Sequence, residues 1–193
     1  MYDQYNRKID YLRISLTDRC NLHCRYCRPE VSEHVLHNEI LRYEELLRIC
    51  CAALQLGIRK FKITGGEPLL RKGCSDFIAR LKQLDGVEQV TLTTNGTLLA
   101  QQLPALIAAG VDSINVSLDT LDAAYYTELT GGSLGNVLQA LQELQAAGIP
   151  FKLNCVPLAE TGLSDIMQLL KLAHRYNAPL RFIELMPLEC NTD

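Results

Sequence analysis

Three cysteines occur within eight residues of the sequence, and together they could hold a metal centre. Cys20 and Cys24 are separated by three residues, and Cys24 and Cys27 by two. A structural zinc site normally takes four protein ligands, often as two separated pairs, and the chain has no second Cys-x-x-Cys pair. The spacing therefore favours a 4Fe–4S cluster with three cysteine ligands and one open iron that could bind another molecule. Three ordinary cysteines, or zinc completed by a distant ligand, are the alternatives.

A second candidate site is the run from Thr64 to Pro68, which reads TGGEP and directly follows a predicted strand. Gly65 and Gly66 lack side chains and so permit a close approach of the backbone to a bound molecule. The carboxylate of Glu67 offers an acceptor for a cationic amino group. By itself this run would more often be a plain turn. Its position after a strand, downstream of the cysteines, favours a binding loop, because sites in parallel α/β folds lie at the carboxyl ends of the strands.

Elsewhere the sequence alternates between short β-rich runs and helical patterns, which indicates βαβ units and a parallel sheet. The predicted strands span residues 12–16, 60–63, 89–93, 113–118, 151–156 and 180–184. Apolar residues at helical spacing predict helices over residues 47–54, 77–84, 103–107, 134–144 and 163–173. We expect an α/β fold, a partial (βα)6 TIM-like barrel, with an open doubly wound sheet as the alternative. No linker rich in Pro, Gly or Ser interrupts the chain, so residues 1–193 should form one domain.

Composition and charge argue against several classes of function. A net charge of −3 disfavours a nucleic-acid binder with a broad basic face. No window of about 18 residues is apolar and uncharged throughout, and the N-terminal residues lack the apolar stretch of a signal peptide. We therefore expect a cytoplasmic protein that binds neither nucleic acid nor a membrane. Eight cysteines are many for a reducing compartment, and the tight group among them indicates a metal site rather than disulfides.

The cysteine motif after the first predicted strand and the GGEP run after the second resemble the signature of the radical S-adenosylmethionine superfamily. The segments LRISLTDRCNLHCRYC, KITGGEPLLR, LTTNG, INVSLDTLD and LRFIELM resemble, within it, the GTP 3′,8-cyclases of molybdenum cofactor biosynthesis. The likeness runs from about Ile9 to Leu188. It implies a 4Fe–4S cluster whose open iron chelates S-adenosylmethionine, and one-electron cleavage to methionine and a 5′-deoxyadenosyl radical. That radical would take a hydrogen atom from C3′ of GTP. The resulting sugar radical would attack C8 and give (8S)-3′,8-cyclo-7,8-dihydroguanosine 5′-triphosphate.

The resemblance also implies a role for individual residues. The cluster ligands would be Cys20, Cys24 and Cys27. Contacts to S-adenosylmethionine would come from Tyr26, Gly65, Gly66, Glu67, Ser117 and Met186. Contacts to GTP would come from Arg13, Lys62, Thr93 and Lys152. Cationic side chains suit a triphosphate, and a hydroxyl suits a sugar or phosphate oxygen.

Two departures from the family bear on the substrate. Lys62 stands where the family usually has an arginine, so the charge is kept but the bidentate fork is lost. The family also carries a C-terminal segment with three further cysteines, whose second 4Fe–4S cluster binds the guanine of GTP. The sequence ends at Asp193, and Cys155 and Cys190 do not supply that motif. We therefore expect weak GTP binding and poor discrimination between GTP and ATP.

Other functions are compatible with the same sequence. One is a cyclase-like radical enzyme that acts on a different small molecule or on a peptide. Another is a truncated, cluster-binding fragment without full activity. For the leading hypothesis the expected partners are GTP as substrate and a reducing electron donor, with a homodimer as a further possibility.

Overall fold

The computed structural model describes residues 2–27, 35–36 and 39–186, and within them six strands form one parallel sheet. Each strand lies within two residues of its predicted bounds at either end. The strands are β1 (Tyr11–Ser15), β2 (Lys60–Thr64), β3 (Gln89–Thr94), β4 (Ser113–Ser117), β5 (Phe151–Cys155) and β6 (Leu180–Phe182).

Helices connect successive strands. They are α1 (Tyr43–Gln55), α2 (Cys74–Lys82), α3 (Leu99–Ala108), α4 (Ala123–Thr130), α5 (Leu134–Ala146) and α6 (Leu163–Arg175), with a short 3-10 helix at Pro68–Leu70. All of the predicted helices are confirmed, and α4 is an addition that the helical periodicity did not indicate. In the part of the chain that the structure describes, no helix is both long enough and apolar enough to cross a membrane.

The strand order distinguishes the two arrangements left open by the sequence. The strands follow one another across the sheet in chain order, from β1 to β6. A doubly wound sheet reverses its order at a switch point, whereas sequential right-handed crossovers place every helix on the same face. The fold is therefore the partial (βα)6 TIM-like barrel that we predicted, with helices outside and a concave inner face.

The two faces of the sheet differ sharply in polarity. On β2, Phe61 and Ile63 are fully buried, whereas Lys60, Lys62 and Thr64 are only partly buried. The same alternation recurs along β3 and β5. The buried side chains pack under the helices in one continuous hydrophobic core. Parallel strands covered on both faces are usually apolar throughout, so the polar inner face indicates a surface that receives a polar molecule.

The short helix α4 is defined by its ends. The carboxylate of Asp122 accepts a hydrogen bond from the backbone N–H of Tyr125 at 2.8 Å, which caps the first turn. Gly131 ends the helix with a φ of 73°, a left-handed conformation that favours glycine. Tyr126 and Leu129 are buried against the rest of the barrel. These contacts, rather than a long apolar stripe, stabilise α4.

Candidate active site at the carboxyl ends of the strands

The three cysteines and the glycine pair border one cavity. The loop that follows β1 carries the cysteines, and the loop that follows β2 carries the glycines. The cavity has a volume of about 300 Å³ and is lined by Ser15, Thr17, Asp18, Cys20, Leu22, Cys24, Cys27, Gly65 and Gly66. Two motifs that are about 40 residues apart in the sequence thus meet at one mouth of the barrel, as expected for parallel strands.

The glycines allow the two loops to pack backbone against backbone. The N–H of Gly66 donates to the carbonyl of Thr17 at 2.6 Å, and the N–H of Glu67 donates to the carbonyl of Arg19 at 2.7 Å. A Cβ atom on Gly66 would lie 2.3 Å from the carbonyl oxygen of Arg19, and one on Gly65 would lie 2.7 Å from that of Thr17. The backbone at Gly65 and Gly66 therefore closely approaches the backbone of the loop that carries the cysteines.

The side chain of Glu67 lies in the interior. Its Oε1 accepts hydrogen bonds from the N–H of Leu69 at 3.0 Å and from the hydroxyl of Thr94 at 2.8 Å. Its Oε2 accepts one from the N–H of Asn95 at 2.7 Å. Glu67 thus joins the loops after β2 and β3. The Glu67 side chain is fully buried, and its contact with an amino group of S-adenosylmethionine stays a prediction.

Replacing Glu67 by glutamine should change how stability depends on pH. Burial raises the pKa of the Glu67 carboxyl above its ordinary 4.5, despite the hydrogen bonds it accepts. The folded state then binds the proton of Glu67 more tightly than the unfolded state. The contribution of Glu67 to the free energy of unfolding therefore falls as pH rises from about 4.5 through the raised pKa. Glu67→Gln lacks this dependence and places an amide N–H against the N–H of Asn95, at a cost of about 1–3 kcal/mol.

The measurement is urea unfolding of the cluster-free protein between about pH 4.5 and pH 8. The stability advantage of the wild type over Glu67→Gln should shrink as pH rises. The exposed Glu88 offers a matched control, and Glu88→Gln should change stability by less than about 0.5 kcal/mol. An advantage that grows with pH would contradict the assignment.

Asp119 and Tyr26 anchor the other side of the cysteine loop. The hydroxyl of Tyr26 donates to Oδ2 of Asp119 at 2.7 Å, and the N–H of Val156 donates to Oδ1 at 2.8 Å. Burial raises the pKa of the Asp119 carboxyl in spite of these two hydrogen bonds. Because Asp119 follows β4 and Val156 follows β5, Tyr26, which lies between the last two cysteines, is linked to the ends of both strands.

The end of α4 provides a third anchor for the cysteine loop. The last carbonyl groups of a helix have no partner within the helix. Here the N–H of His23 donates to the carbonyl of Thr130 at 2.8 Å, and the N–H of Arg25 donates to that of Leu129 at 3.0 Å. Helix α4, which the apolar periodicity does not indicate, therefore helps to hold the loop between Cys20 and Cys27.

The thiol of Cys24 must lose its proton before the sulfur can bind a metal. Burial, followed by the charge of Asp119 and of the neighbouring cysteines, raises the pKa of Cys24 to about 12. Metal ligation requires the thiolate, so cluster assembly must release this proton. Among the described residues, no three His, Cys, Asp or Glu side chains converge to hold a single ion. A cluster binds each thiolate at a different iron, so its ligands need only border a common space, as these three do.

The residues predicted to contact GTP lie on the concave face. Arg13 pairs in register with Lys62. Thr93 pairs with Asn115, which in turn pairs with Lys152, and the Asn115 amide donates to the Thr93 hydroxyl at 3.2 Å. Residues paired in register in a parallel sheet point to the same face. The sheet therefore places these predicted contacts on one inner surface, spread over β1, β2, β3 and β5.

Of the remaining predicted cofactor contacts, Ser117 ends β4 and pairs in register with Asn154. Met186 is the last described residue of the C-terminal part and is 67% exposed. Asn154 and its neighbour Arg181 were not singled out from the sequence. Alternate residues of a strand point to the same face, so the strand pattern of the sequence could have placed both residues on the inner face, Asn154 on β5 and Arg181 on β6. Cys190 lies outside the described residues.

This fold and this pair of motifs define a class of enzyme. The sequence profile of the Radical SAM superfamily matches residues 14–173, and the chain belongs to that superfamily. The chain superposes on Streptococcus suis SuiB bound to S-adenosylmethionine with a TM-score of 0.79, at 20% identity, over 93% of this chain and 41% of that one. It superposes on anSMEcpe with bound AdoMet with a TM-score of 0.74, at 21% identity, over 91% and 49%.

Within the superfamily, the chain is similar in sequence to curated GTP 3′,8-cyclases. The chain is 45% identical over 191 residues to the GTP 3′,8-cyclase of Pelotomaculum thermopropionicum, which covers 97% of this chain and 59% of that protein. It is 44% identical over 190 residues to the GTP 3′,8-cyclase of Geobacter sulfurreducens, covering 97% and 58%. The chain thus spans about three fifths of the length of these curated relatives.

Proposed function

We propose that this chain is the radical S-adenosylmethionine core of a GTP 3′,8-cyclase, acting in molybdenum cofactor biosynthesis. The observation that carries the proposal is the cavity bordered by Cys20, Cys24, Cys27 and the Gly65–Gly66 pair. It opens at the same barrel mouth toward which the concave face carries cations. The similarity to curated GTP 3′,8-cyclases supports the same reaction, the conversion of GTP to its 3′,8-cyclo-7,8-dihydro form.

The residues present fit a 4Fe–4S cluster with S-adenosylmethionine. Three thiols border a space of about 300 Å³, and the glycines leave the wall of that space without side chains. When bound and reduced, the cluster supplies the electron that cleaves S-adenosylmethionine to methionine and a 5′-deoxyadenosyl radical. We assign Cys20, Cys24 and Cys27 as the cluster ligands, and the backbone at Gly65 and Gly66 as the wall against the methionine end of the cofactor.

Other residues of the chain hold the cofactor and the substrate. We assign contacts with S-adenosylmethionine to Tyr26, whose hydroxyl donates to Asp119, and to Ser117, which ends β4. Met186 is assigned to the same cofactor by resemblance alone. On the inner face, Arg13, Lys62 and Lys152 supply positive charge for the triphosphate of GTP, and Thr93 supplies a hydroxyl.

The proposal extends to organisation and partners. The continuous hydrophobic core supports a single domain over the described residues. The reaction requires a low-potential electron donor, and a homodimer in the cytoplasm stays part of the prediction. Nucleic acid and membrane contacts are not part of the proposed function.

The proposal is tested on anaerobically reconstituted protein. With S-adenosylmethionine and dithionite, the protein should release 5′-deoxyadenosine, measured by chromatography. Calorimetry should show that GTP binds weakly and is poorly distinguished from ATP. The contacts assigned to the inner face are contacts to the triphosphate, and both nucleotides carry that group. Lys62→Ala should weaken binding of both nucleotides by about tenfold, in keeping with the loss of one charge-assisted hydrogen bond.

The matched control removes the same charge elsewhere. Lys171 is exposed on α6, outside the barrel, and Lys171→Ala should leave nucleotide binding unchanged. A protein that loads with zinc and takes up no iron would overturn the cluster assignment. An intact, reduced cluster that yields no 5′-deoxyadenosine would overturn the enzyme assignment. Tight, guanine-selective binding would show that other residues of the chain recognise the base.

A further inference from the structure

Asn95 connects the cysteine loop with the GGEP loop. It follows β3, and its backbone N–H donates to Oε2 of Glu67 at 2.7 Å. Its side-chain nitrogen Nδ2 lies 3.7 Å from Sγ of Cys20, within hydrogen-bond distance for sulfur. The backbone N–H of Leu22 also donates to that sulfur, at 3.5 Å. One proposed cluster ligand therefore accepts two hydrogen bonds from the protein.

A closed ring of hydrogen bonds fixes which end of the Asn95 amide faces the sulfur. Nδ2 of Asn95 donates to Oδ1 of Asn21 at 3.0 Å, and Nδ2 of Asn21 donates to the hydroxyl of Thr97 at 2.9 Å. That hydroxyl donates back to Oδ1 of Asn95 at 2.6 Å. The N–H of Thr97 donates to the same oxygen at 3.0 Å, so the oxygen side of the amide is occupied by donors. Rotation of the amide would face donor against donor, and the ring therefore directs an N–H at Cys20.

A hydrogen bond to a ligand sulfur changes the energy of reduction. When a 4Fe–4S cluster gains one electron, the added negative charge spreads over its irons and sulfurs, including the cysteine sulfurs. An N–H that points at such a sulfur stabilises the reduced state more than the oxidised state, which raises the reduction potential. The N–H of Leu22 belongs to the backbone and is present in every variant. The contribution of Asn95 belongs to a side chain and can be removed.

We propose that Asn95 is a positioning residue that acts through Cys20 to raise the reduction potential of the cluster. The inference rests on the cluster ligation that the proposed function assigns to Cys20. In the step that it affects, the cluster accepts one electron from a low-potential reductant such as dithionite, and no bond is made or broken. Asn95 thereby makes it easier to load the electron that S-adenosylmethionine cleavage consumes.

The experiment is an anaerobic redox titration of reconstituted protein, in which electron paramagnetic resonance measures the reduced cluster. At a fixed potential, Asn95→Ala should lower the ratio of reduced to oxidised cluster about threefold to tenfold, where tenfold corresponds to about 59 mV for one electron. Asn95→Asp keeps the acceptor for Thr97 but replaces the donor with a negative oxygen. It should shift the potential in the same direction and further.

Thr97→Ala is the matched control, because it breaks the ring at two bonds but leaves the N–H of residue 97 to orient the Asn95 amide. At a fixed potential, its ratio of reduced to oxidised cluster should stay within about twofold of the wild type, since the N–H of residue 97 still holds the oxygen of the Asn95 amide away from Cys20. Equal shifts in Thr97→Ala and Asn95→Ala, or no shift in Asn95→Ala, would overturn the inference. So would failure of both Asn95 variants to take up iron, because Asn95 would then shape the loop. A wild type that takes up no cluster would overturn the proposed function as well.

Discussion

Replacing Cys24 by alanine is expected to lower the iron content of the reconstituted protein by more than about tenfold, and to abolish formation of 5′-deoxyadenosine. Cys24 is the middle ligand of the motif, and burial raises the pKa of its thiol to about 12. With Cys24 removed, Cys20 and Cys27 would be left with six residues between them, and two thiolates hold only two of the irons that the motif serves. The measurements are iron and sulfide analysis and chromatography of the reaction products.

Cys51 provides the matched control for this variant. Its thiol is exposed on α1, outside the barrel, so Cys51→Ala removes one sulfur without touching the cavity. Iron content and 5′-deoxyadenosine formation should match those of the wild type. Circular dichroism should show that Cys24→Ala keeps the helical content of the wild type, because the barrel core does not depend on that side chain. Full iron uptake by Cys24→Ala would show that the cluster ligands are not the three cysteines of this motif.

The elements of this fold follow from the sequence because strand and helix patterns alternate cleanly. Strands β2, β3 and β5 carry buried residues at every second position, as in Phe61 and Ile63, and each long helix has apolar residues on one face. Left-handed glycines such as Gly57 and Gly148 lie just past the ends of α1 and α5, where glycine commonly ends a helix. Local patterning of this kind is sufficient to predict consecutive βα units, whereas the strand order of the structure distinguishes the barrel from an open doubly wound sheet.

Contacts between loops were not predictable in the same way. Asn95 and Cys20 are 75 residues apart, and Asp119 and Tyr26 are 93 apart, so only the register of the sheet brings them together. The helix α4 was missed because it is eight residues long and stabilised by the cysteine loop. The sequence thus indicated which loops meet at the barrel mouth, while the side chains that fix their geometry depend on tertiary structure.

Replacing Gly66 by alanine is expected to separate the two loops of the site. The added Cβ would lie 2.3 Å from the carbonyl oxygen of Arg19 and 2.6 Å from that of Asp18, and both are backbone atoms that no side-chain rotation can move. Relief of the clash must break the hydrogen bonds from Gly66 to Thr17 and from Glu67 to Arg19. We expect a loss of about 3 kcal/mol in the free energy of unfolding of the cluster-free protein, measured in urea.

The same displacement should reduce cluster uptake, because the loop after β1 carries all three cysteines. The φ of Gly66 is not left-handed, so another residue could adopt this backbone conformation. Glycine is required here because a Cβ atom would clash with the neighbouring loop. Gly135, exposed in α5, is the matched control: a Cβ there meets the Ser133 hydroxyl at an ordinary 3.6 Å. Gly135→Ala should raise stability by about 0.5–1 kcal/mol through helix propensity and leave iron content unchanged. Wild-type stability and iron uptake in Gly66→Ala would show that the two loops do not pack backbone against backbone, and that the cavity wall is built differently.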